Sequence, residues 1–497
     1  MARPASPETA VPQDARGRAR VADLRPQGST RPEPANCYPL VVIGAGFAGL
    51  VAAETAAAHG VKVALIERDV IGGTCINTGC VPSKAIIRTS RLYAEMRDAV
   101  RYGAQVPPAI PLDFAATMAR VRRIRARLGG RDSARRLAAA GVDVFFGNAR
   151  FSGPGAINVD GTTLHFDKAL IATGARPRQP DIPGLAEAGY LTNETFFEID
   201  ALPRRLLVIG GGPIGCEQAQ ALRRLGAEVT IVQCAPLFLE REERDAAQLL
   251  SDALAHDGVQ VRLNTRVLGV RTEPGGKRVD LVSDDYHNTI EVDAILAGVG
   301  RAPNVENLGL ESIGVEYDVD RGVHVDDFLS TTNRRIFAAG DVCLEHKHGH
   351  TAAVSAEIAA GNALLGKHGR WSRVILPWVT FTDPEVAHVG LYVREANRRH
   401  IPVKTFTILM HDVDRAVTDS EEAGFVKIHL REGTDRILGA TIVARHAGDM
   451  INEITLAMMA KIGLRKLSRV VHTYDTQAEA IQKAAKACER AMTLAGS

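Results

Sequence analysis

Leu40-Val-Val-Ile-Gly44-Ala-Gly46-Phe-Ala-Gly49 is a short apolar run that stops at a GxGxxG turn. The apolar residues before the turn read as a buried strand, and Ala52, Ala53 and Ala57 leading to Gly60 read as the helix after it. Each glycine has a physical reason: Gly44 for a tight turn, Gly46 for close approach of backbone to a pyrophosphate, and Gly49 for packing helix on strand, with the helix N-terminus toward the phosphates. A second strand, Val63 to Ile66, ends at Glu67. An acid about 20 residues past such a turn is placed to accept hydrogen bonds from ribose hydroxyls.

The pattern is written again 166 positions later, in Leu206-Leu-Val-Ile-Gly210-Gly-Gly212-Pro-Ile-Gly215, with Ala219, Gly226 and Val229 matching Ala53, Gly60 and Val63. Two dinucleotide sites in one chain mean one cofactor held tightly and one that visits, an arrangement suited to electron transfer from a nicotinamide to a flavin.

Just past the first unit lies Gly72-Gly73-Thr74-Cys75-Ile-Asn-Thr-Gly79-Cys80-Val-Pro-Ser-Lys84. Two cysteines five positions apart fit a dithiol that opens and closes, a metal half-site, or two small buried hydrophobes. The flanking glycines, the lysine and the two dinucleotide units favour the redox pair.

The remainder of the composition narrows the class. The chain has 497 residues, 45% hydrophobic and 24% charged, which leaves room for about three domains. A net charge of +2 gives no reason to expect nucleic acid or a membrane surface as partner. Seven scattered cysteines argue against a secretory disulfide framework and for a cytosolic home. No apolar run reaches the roughly 18 residues of a membrane span. Residues 1–36, rich in Pro, Arg, Ala and Glu without apolar periodicity, read as a disordered arm. Ala115 to Ala140 reads as a basic helix with a solvated face, and Val142–Phe146 and Ala156–Phe166 as strands, the latter turning at Asp160-Gly161. His346-Lys-His348-Gly-His350 reads as a polar lead-in to a helix and not as a metal site, because no second cluster with ligand spacing accompanies it. From about Trp371 onward, strands at Val379–Thr382, Val403–Leu409, Phe425–Leu430 and Ile437–Ala444 alternate with a helix at Asp449–Ile462.

GGTCxNxGCxPSK after one GxGxxG, Ala172-Thr173-Gly174, a second GxGxxG, Gly298-Val-Gly300-Arg301, Ala339-Gly340-Asp341 and Phe381-Thr-Asp-Pro384 together resemble the class I pyridine nucleotide-disulfide oxidoreductases, with motifs similar to the mercuric reductase-like and dihydrolipoamide dehydrogenase-like flavoproteins. The resemblance runs from about 40 to 490. It implies an α/β fold with two Rossmann-like dinucleotide-binding domains and a C-terminal α+β dimerisation domain: FAD at 37–185 with 296–370, NAD(P) at 186–295, and the interface of a homodimer at 371–497. By the same resemblance Cys80 is the thiol against the flavin, Cys75 is the interchange thiol that meets substrate, and Lys84 pairs with Glu217. FAD then falls to Gly44, Gly46, Gly49, Glu67, Gly73, Thr74, Lys84, Thr173, Gly174, Gly300, Arg301, Gly340 and Asp341, and the coenzyme to Gly210, Gly212, Gly215 and Gln233.

Two departures from the family pattern stand out. Where the family has His-Pro-Thr-x-x-Glu, this chain has Tyr474-Asp-Thr-Gln-Ala-Glu479, and a phenol with a pKa near ~10 is a poor general base beside imidazole. His472 sits two residues earlier, where a structural role is expected, with service in place of the missing base as the alternative. The C-terminal segment carries Cys488 alone instead of the cysteine pair of mercuric reductase, so efficient mercury turnover is not expected. At the position of Glu67 the second unit has Gln233; Arg241 and Arg244 are nearby, off the family's phosphate spacing, and the balance tips from NADH toward NADPH because nothing repels a phosphate. The expected activity is electron transfer from NAD(P)H through FAD to a Cys75–Cys80 disulfide and on to a thiophilic metal ion such as Hg(II) or Cu(II), a reactive oxidant or a small disulfide. A redox sensor with incidental turnover, or a diaphorase or transhydrogenase, are the alternatives.

Overall fold

The computed structural model describes residues 32–130, 134–284, 286–366 and 368–495. The arm read over 1–36 lies outside these residues except for 32–36.

Strand β1 (Tyr38–Ile43) runs into helix α1 (Phe47–Ala58) and strand β2 (Val63–Glu67). Next come α2 (Cys80–Asp98), α3 (Phe114–Gly129), β3 (Val142–Phe146), and a meander of β4 (Ala149–Gly153), β5 (Ala156–Val159) and β6 (Thr162–Ile171). β1, β2, β3 and the second half of β6 form parallel pairs, with Val42 opposite both Leu65 and Leu170. Parallel strands of this kind are covered on both faces, which is why YPLVVI is apolar throughout and does not alternate. Gly44 turns the chain at φ +101°, where any Cβ would lie 2.5 Å from the carbonyl oxygen of Ala172. The hairpin expected at Asp160-Gly161 is present, and both residues have positive φ.

The second unit repeats the plan with β7 (Arg205–Ile209), α4 (Pro213–Arg224), β8 (Glu228–Val232) and β9 (Gln260–Arg262), followed by an antiparallel trio, β10 (Thr265–Glu273), β11 (Gly276–Ser283) and β12 (Tyr286–Val292). β13 (Ala294–Ala297) completes a four-stranded parallel sheet of order β9-β8-β7-β13. Gly210, at φ +106°, meets the Gly298 carbonyl as Gly44 meets that of Ala172. The chain then returns to the first sheet, where β14 (Ile336–Ala338) pairs parallel with β6, and α5 (Gly349–Leu364) packs its alanines Ala352, Ala356, Ala359 and Ala360 against Ala48, Ala52 and Ala53 of α1.

The C-terminal part is one antiparallel sheet of β15 (Pro377–Thr380), β16 (Glu385–Gly390), β17 (Val403–Leu409), β18 (Phe425–Arg431) and β19 (Ile437–Ala444), in the order β15-β16-β19-β18-β17. Helices α6 (Ala447–Met459) and α7 (Glu479–Ala495) share its core through Ile451, Ile454, Ile481 and Ala485. β16 is a strand where the sequence pattern shows only a motif, and α6 begins and ends slightly earlier than expected.

The basic stretch differs from the expectation of a solvated face. Arg120 donates to the Ala85 carbonyl, Arg125 pairs with Glu198 at 2.5 Å and Arg122 with Asp200 at 2.9 Å, so its arginines tie α3 to its neighbours. α2 is held by Ala85, Ile86 and Ile87 in the same core as Val208, Ala219 and Leu222, so the helix that starts at Cys80 is seated against the second unit. Among the described residues no helix is long and apolar enough to cross a membrane.

Candidate active site

Gly72 and Gly73 both take positive φ and release the chain into a short helix, Gly73–Asn77, that carries Cys75. Gly73 lies so close to Gly46 that a Cβ on it would meet the Gly46 Cα at 2.7 Å, which lays the dithiol segment directly on the first glycine turn. Cys80 is the first residue of α2, a helix of 19 residues, where the positive end of the macrodipole faces its sulfur.

Cys75 and Cys80 are free thiols in mutual hydrogen-bond contact, the Cys75 S–H donating to the Cys80 sulfur. That bond pushes Cys75 far above its ordinary range, and burial adds to the effect. It also draws Cys80 down to about 7, a shift that burial and Glu217 oppose and that Lys84 and Arg301 assist. The pair is therefore polarised, with a ready thiolate at Cys80 and a protonated thiol at Cys75.

Lys84, one turn into α2, places Nζ 3.0 Å from Glu217 Oε2 on α4 and 4.3 Å above the Phe381 ring. Glu217 is only 6% exposed, and its other oxygen accepts the Phe381 backbone N–H at 3.0 Å. Arg301 is ion-paired with Asp341 and donates to Thr74 Oγ1 at 3.2 Å and to the Ala175 carbonyl at 2.8 Å; its buried Nε has no acceptor. Thr173 donates to the Asn304 carbonyl, and the Asn304 N–H donates to the Gly174 carbonyl.

Glu67 accepts from the N–H groups of Ala45 and Asp69, both at 2.8 Å, and its burial pushes the carboxyl up while those donors pull it down. Gln233 does the same in the second unit, its Oε1 accepting from Gly211 N–H at 2.9 Å. The two helices that begin beside these turns have no side-chain cap and no acid in their first turn, so their N-terminal N–H groups are free to meet phosphate oxygens. These donors fit two dinucleotides.

Tyr474 and Glu479 make no described contact with Cys75, Cys80 or Lys84 within one chain. Tyr474 is 74% exposed and donates to Asp414 at 3.1 Å, and that bond pushes its phenol further up. Glu479 pairs with Lys483 at 3.5 Å, while His472 is engaged with Glu453 at 3.0 Å. Two neighbours of the site are not singled out by the sequence. Phe381 lies inside a recognised motif without a role of its own, and the start of α5 reads only as a polar lead-in. A Cβ on Gly349 would lie 3.4 Å from Cys75 Sγ, and His348 before it is held down to about 4 by burial and by the neighbouring His350 and His346, so its imidazole is neutral. The rings of His348 and His350 stack at 5.4 Å, and that of His346 stacks on Trp378 at 5.5 Å.

The family model described as pyridine nucleotide-disulphide oxidoreductase matches residues 38–360, and the model of that family's dimerisation domain matches 376–485. The chain belongs to the pyridine nucleotide-disulphide oxidoreductases. Among members of this family, mercuric reductase of Streptomyces lividans is 35% identical over 462 residues, which is 90% of this chain and 96% of that protein. Dihydrolipoyl dehydrogenase of Chlamydia muridarum is 34% identical over 452 residues, 89% of this chain and 95% of that protein. The HOCl-induced flavoprotein disulfide reductase RclA of Escherichia coli, solved also as a Cu(II) complex, superposes with a TM-score of 0.81 at 28% identity, covering 90% of this chain and 99% of that one. As a pyridine nucleotide-disulphide oxidoreductase the chain is an NAD(P)H-dependent flavoprotein enzyme that uses FAD, and its dimerisation domain supports a homodimer.

Proposed function

We propose that this enzyme passes electrons from NAD(P)H to the Cys75–Cys80 pair and from there to a thiophilic metal ion, with small disulfides as weaker acceptors. In this reading residues 37–185 with 296–370 hold FAD at Gly44, Gly46, Gly49, Glu67, Gly73, Thr74, Thr173, Gly174, Gly300, Arg301, Gly340 and Asp341. Residues 186–295 hold the coenzyme at Gly210, Gly212, Gly215 and Gln233, and 371–497 form the subunit interface. When bound, FAD supplies two-electron transfer between the nicotinamide and the thiols. The protein's own part is to keep Cys80 anionic beside Lys84, to keep Cys75 protonated until an acceptor arrives, and then to close an S–S bond between them, releasing the Cys75 proton to solvent as two electrons pass to one Hg(II) or to two Cu(II) ions.

The observation that carries the metal preference is Tyr474, a phenol where the family's C-terminal motif has an imidazole base. A disulfide acceptor releases a thiolate that must be protonated, a task for a group with a pKa near neutrality. A soft cation leaves no thiolate to be protonated: sulfur binds it, and the only proton that moves is the one Cys75 gives up to solvent. The names of the relatives, mercuric reductase and a reductase solved with Cu(II), support the same class of acceptor.

The test is anaerobic titration of the holoenzyme with NADPH, followed by reoxidation with Hg(II), Cu(II) or lipoamide. A long-wavelength absorption from the Cys80 thiolate beside the flavin is expected, and it should vanish in Cys80→Ser; persistence of that band in the variant would falsify the assignment. Faster reoxidation by lipoamide than by either metal would reject the metal preference.

A further inference from the structure

The two arginines nearest the coenzyme turn in sequence are occupied elsewhere. Arg244 donates to the carbonyls of Phe238, Leu239 and Glu242 at 3.1, 2.8 and 3.2 Å, and Arg241 is ion-paired with Glu345 at 3.2 Å. A different arginine lines a cavity beside the residues that follow β8. The Thr265 N–H donates to the Gln233 carbonyl at 3.0 Å and the Asn264 N–H to the Ala235 carbonyl at 3.2 Å, so the start of β10 is laced to the residues that follow β8. Beside that seam is a cavity of about 200 Å³ lined by Cys234, Asn264, Arg266, Val282 and Asp284. Arg266 is exposed, and no described residue accepts a hydrogen bond from it.

Gln233 completes the picture. Its Oε1 is held by the Gly211 N–H, so its Nε2 is the free end of the amide, a donor where the first unit presents the carboxylate of Glu67. Asn264 and Arg266 line the cavity together with Cys234, the residue after Gln233, so an amide and a guanidinium face a space beside the coenzyme turn's strand that suits a phosphate dianion. Among the described residues Asp284 is the one carboxylate lining the cavity, two residues beyond Val282, which is opposite Arg266 in the strand register. It weakens the field of Arg266 without removing the donors of Arg266 and Asn264.

We propose that Arg266, with Gln233 and Asn264, forms the subsite for the 2′-phosphate of NADPH and sets the coenzyme preference of this enzyme. The proposal rests on the reading above that the second glycine turn holds the nicotinamide coenzyme. It is tested on the holoenzyme by calorimetric binding of adenosine 2′,5′-bisphosphate against AMP and by stopped-flow reduction with NADPH against NADH. The wild type should prefer the bisphosphate and NADPH. Arg266→Ala should lower both preference ratios at least about tenfold, the loss of one charge-assisted contact. Asp284→Asn should raise them, and Arg271→Ala, a charge on the same strand that is paired with Asp280, should leave them unchanged. Equal binding of the two nucleotides by the wild type, or ratios that survive Arg266→Ala, would overturn the proposal. The binding arm does not use the thiols, so failure of the Cys80 test and failure of this one are separable.

Discussion

Lys84 works on three groups at once. It neutralises the buried Glu217, lies over the Phe381 ring and stabilises the anionic form of Cys80. Lys84→Met strands a carboxylate that keeps only one backbone N–H, and because the lysine side chain is 37% exposed the cost is about 1–2 kcal/mol, below that of a fully buried pair. Urea unfolding should show that loss, and Lys84→Met/Glu217→Gln should recover part of it, since the two residues share one interaction. The same variant should move the pH midpoint of Cys80 alkylation upward from about 7, because the Cys75 hydrogen bond then acts without the cation. The family pattern makes Lys84 and Glu217 legible in the sequence. It cannot show that Arg241 and Arg244 are engaged with Glu345 and with carbonyls, or that Arg266 shares a cavity with Cys234, because two backbone hydrogen bonds and not sequence spacing bring residues 264 and 265 to residues 235 and 233.

At the scale of elements, Glu242 and Glu243, ahead of the helix Arg244–His256, form a clasp between the second nucleotide unit and the C-terminal sheet. Glu242 accepts from Trp378 at 3.0 Å and from Tyr392 at 2.7 Å; Glu243 pairs with Lys427 at 2.8 Å and His429 at 3.0 Å. Burial alone would raise the Glu243 carboxyl, but His429 and Lys427 more than offset it and hold the group at about 2. A carboxyl depressed in the folded state stabilises fully above its unfolded value near ~4.3, and that contribution is lost as pH falls toward the folded value. His429→Gln should therefore cost about 1–2 kcal/mol at neutral pH and shift acid unfolding, followed by circular dichroism, to higher pH. Periodicity reveals most strands of this sheet but not β16. Its residues Glu385–Gly390 are buried on both faces, so they lack the alternation that marks a half-exposed strand.

Across the whole molecule, the chain leaves a side of its C-terminal part uncovered. Val471 is 92% exposed, and Tyr474, Met459 and Leu456 are exposed beside the same helices. With a dimerisation domain over 376–485, this face fits the subunit interface, and Tyr474 would then address the thiols of a second copy. If the missing imidazole limits disulfide turnover, Tyr474→His should raise lipoamide turnover in steady-state assays while metal reoxidation changes little; no gain would remove the argument from the phenol. The two glycine turns make both nucleotide sheets legible, because a turn of that kind can be built in few ways. The return of β14 to the first sheet carries no such local mark. That return also sets a clock on synthesis. The edge of β6 at Ala169–Ile171 is bare when it leaves the ribosome, and its partner Ile336–Ala338 is translated only after the whole intervening unit. At ~5–20 residues per second the delay from Ile171 to Ile336 is roughly 8 to 33 s. For that interval an apolar strand edge needs a chaperone, or the early folding of residues 205–297, to keep it from pairing with another nascent chain.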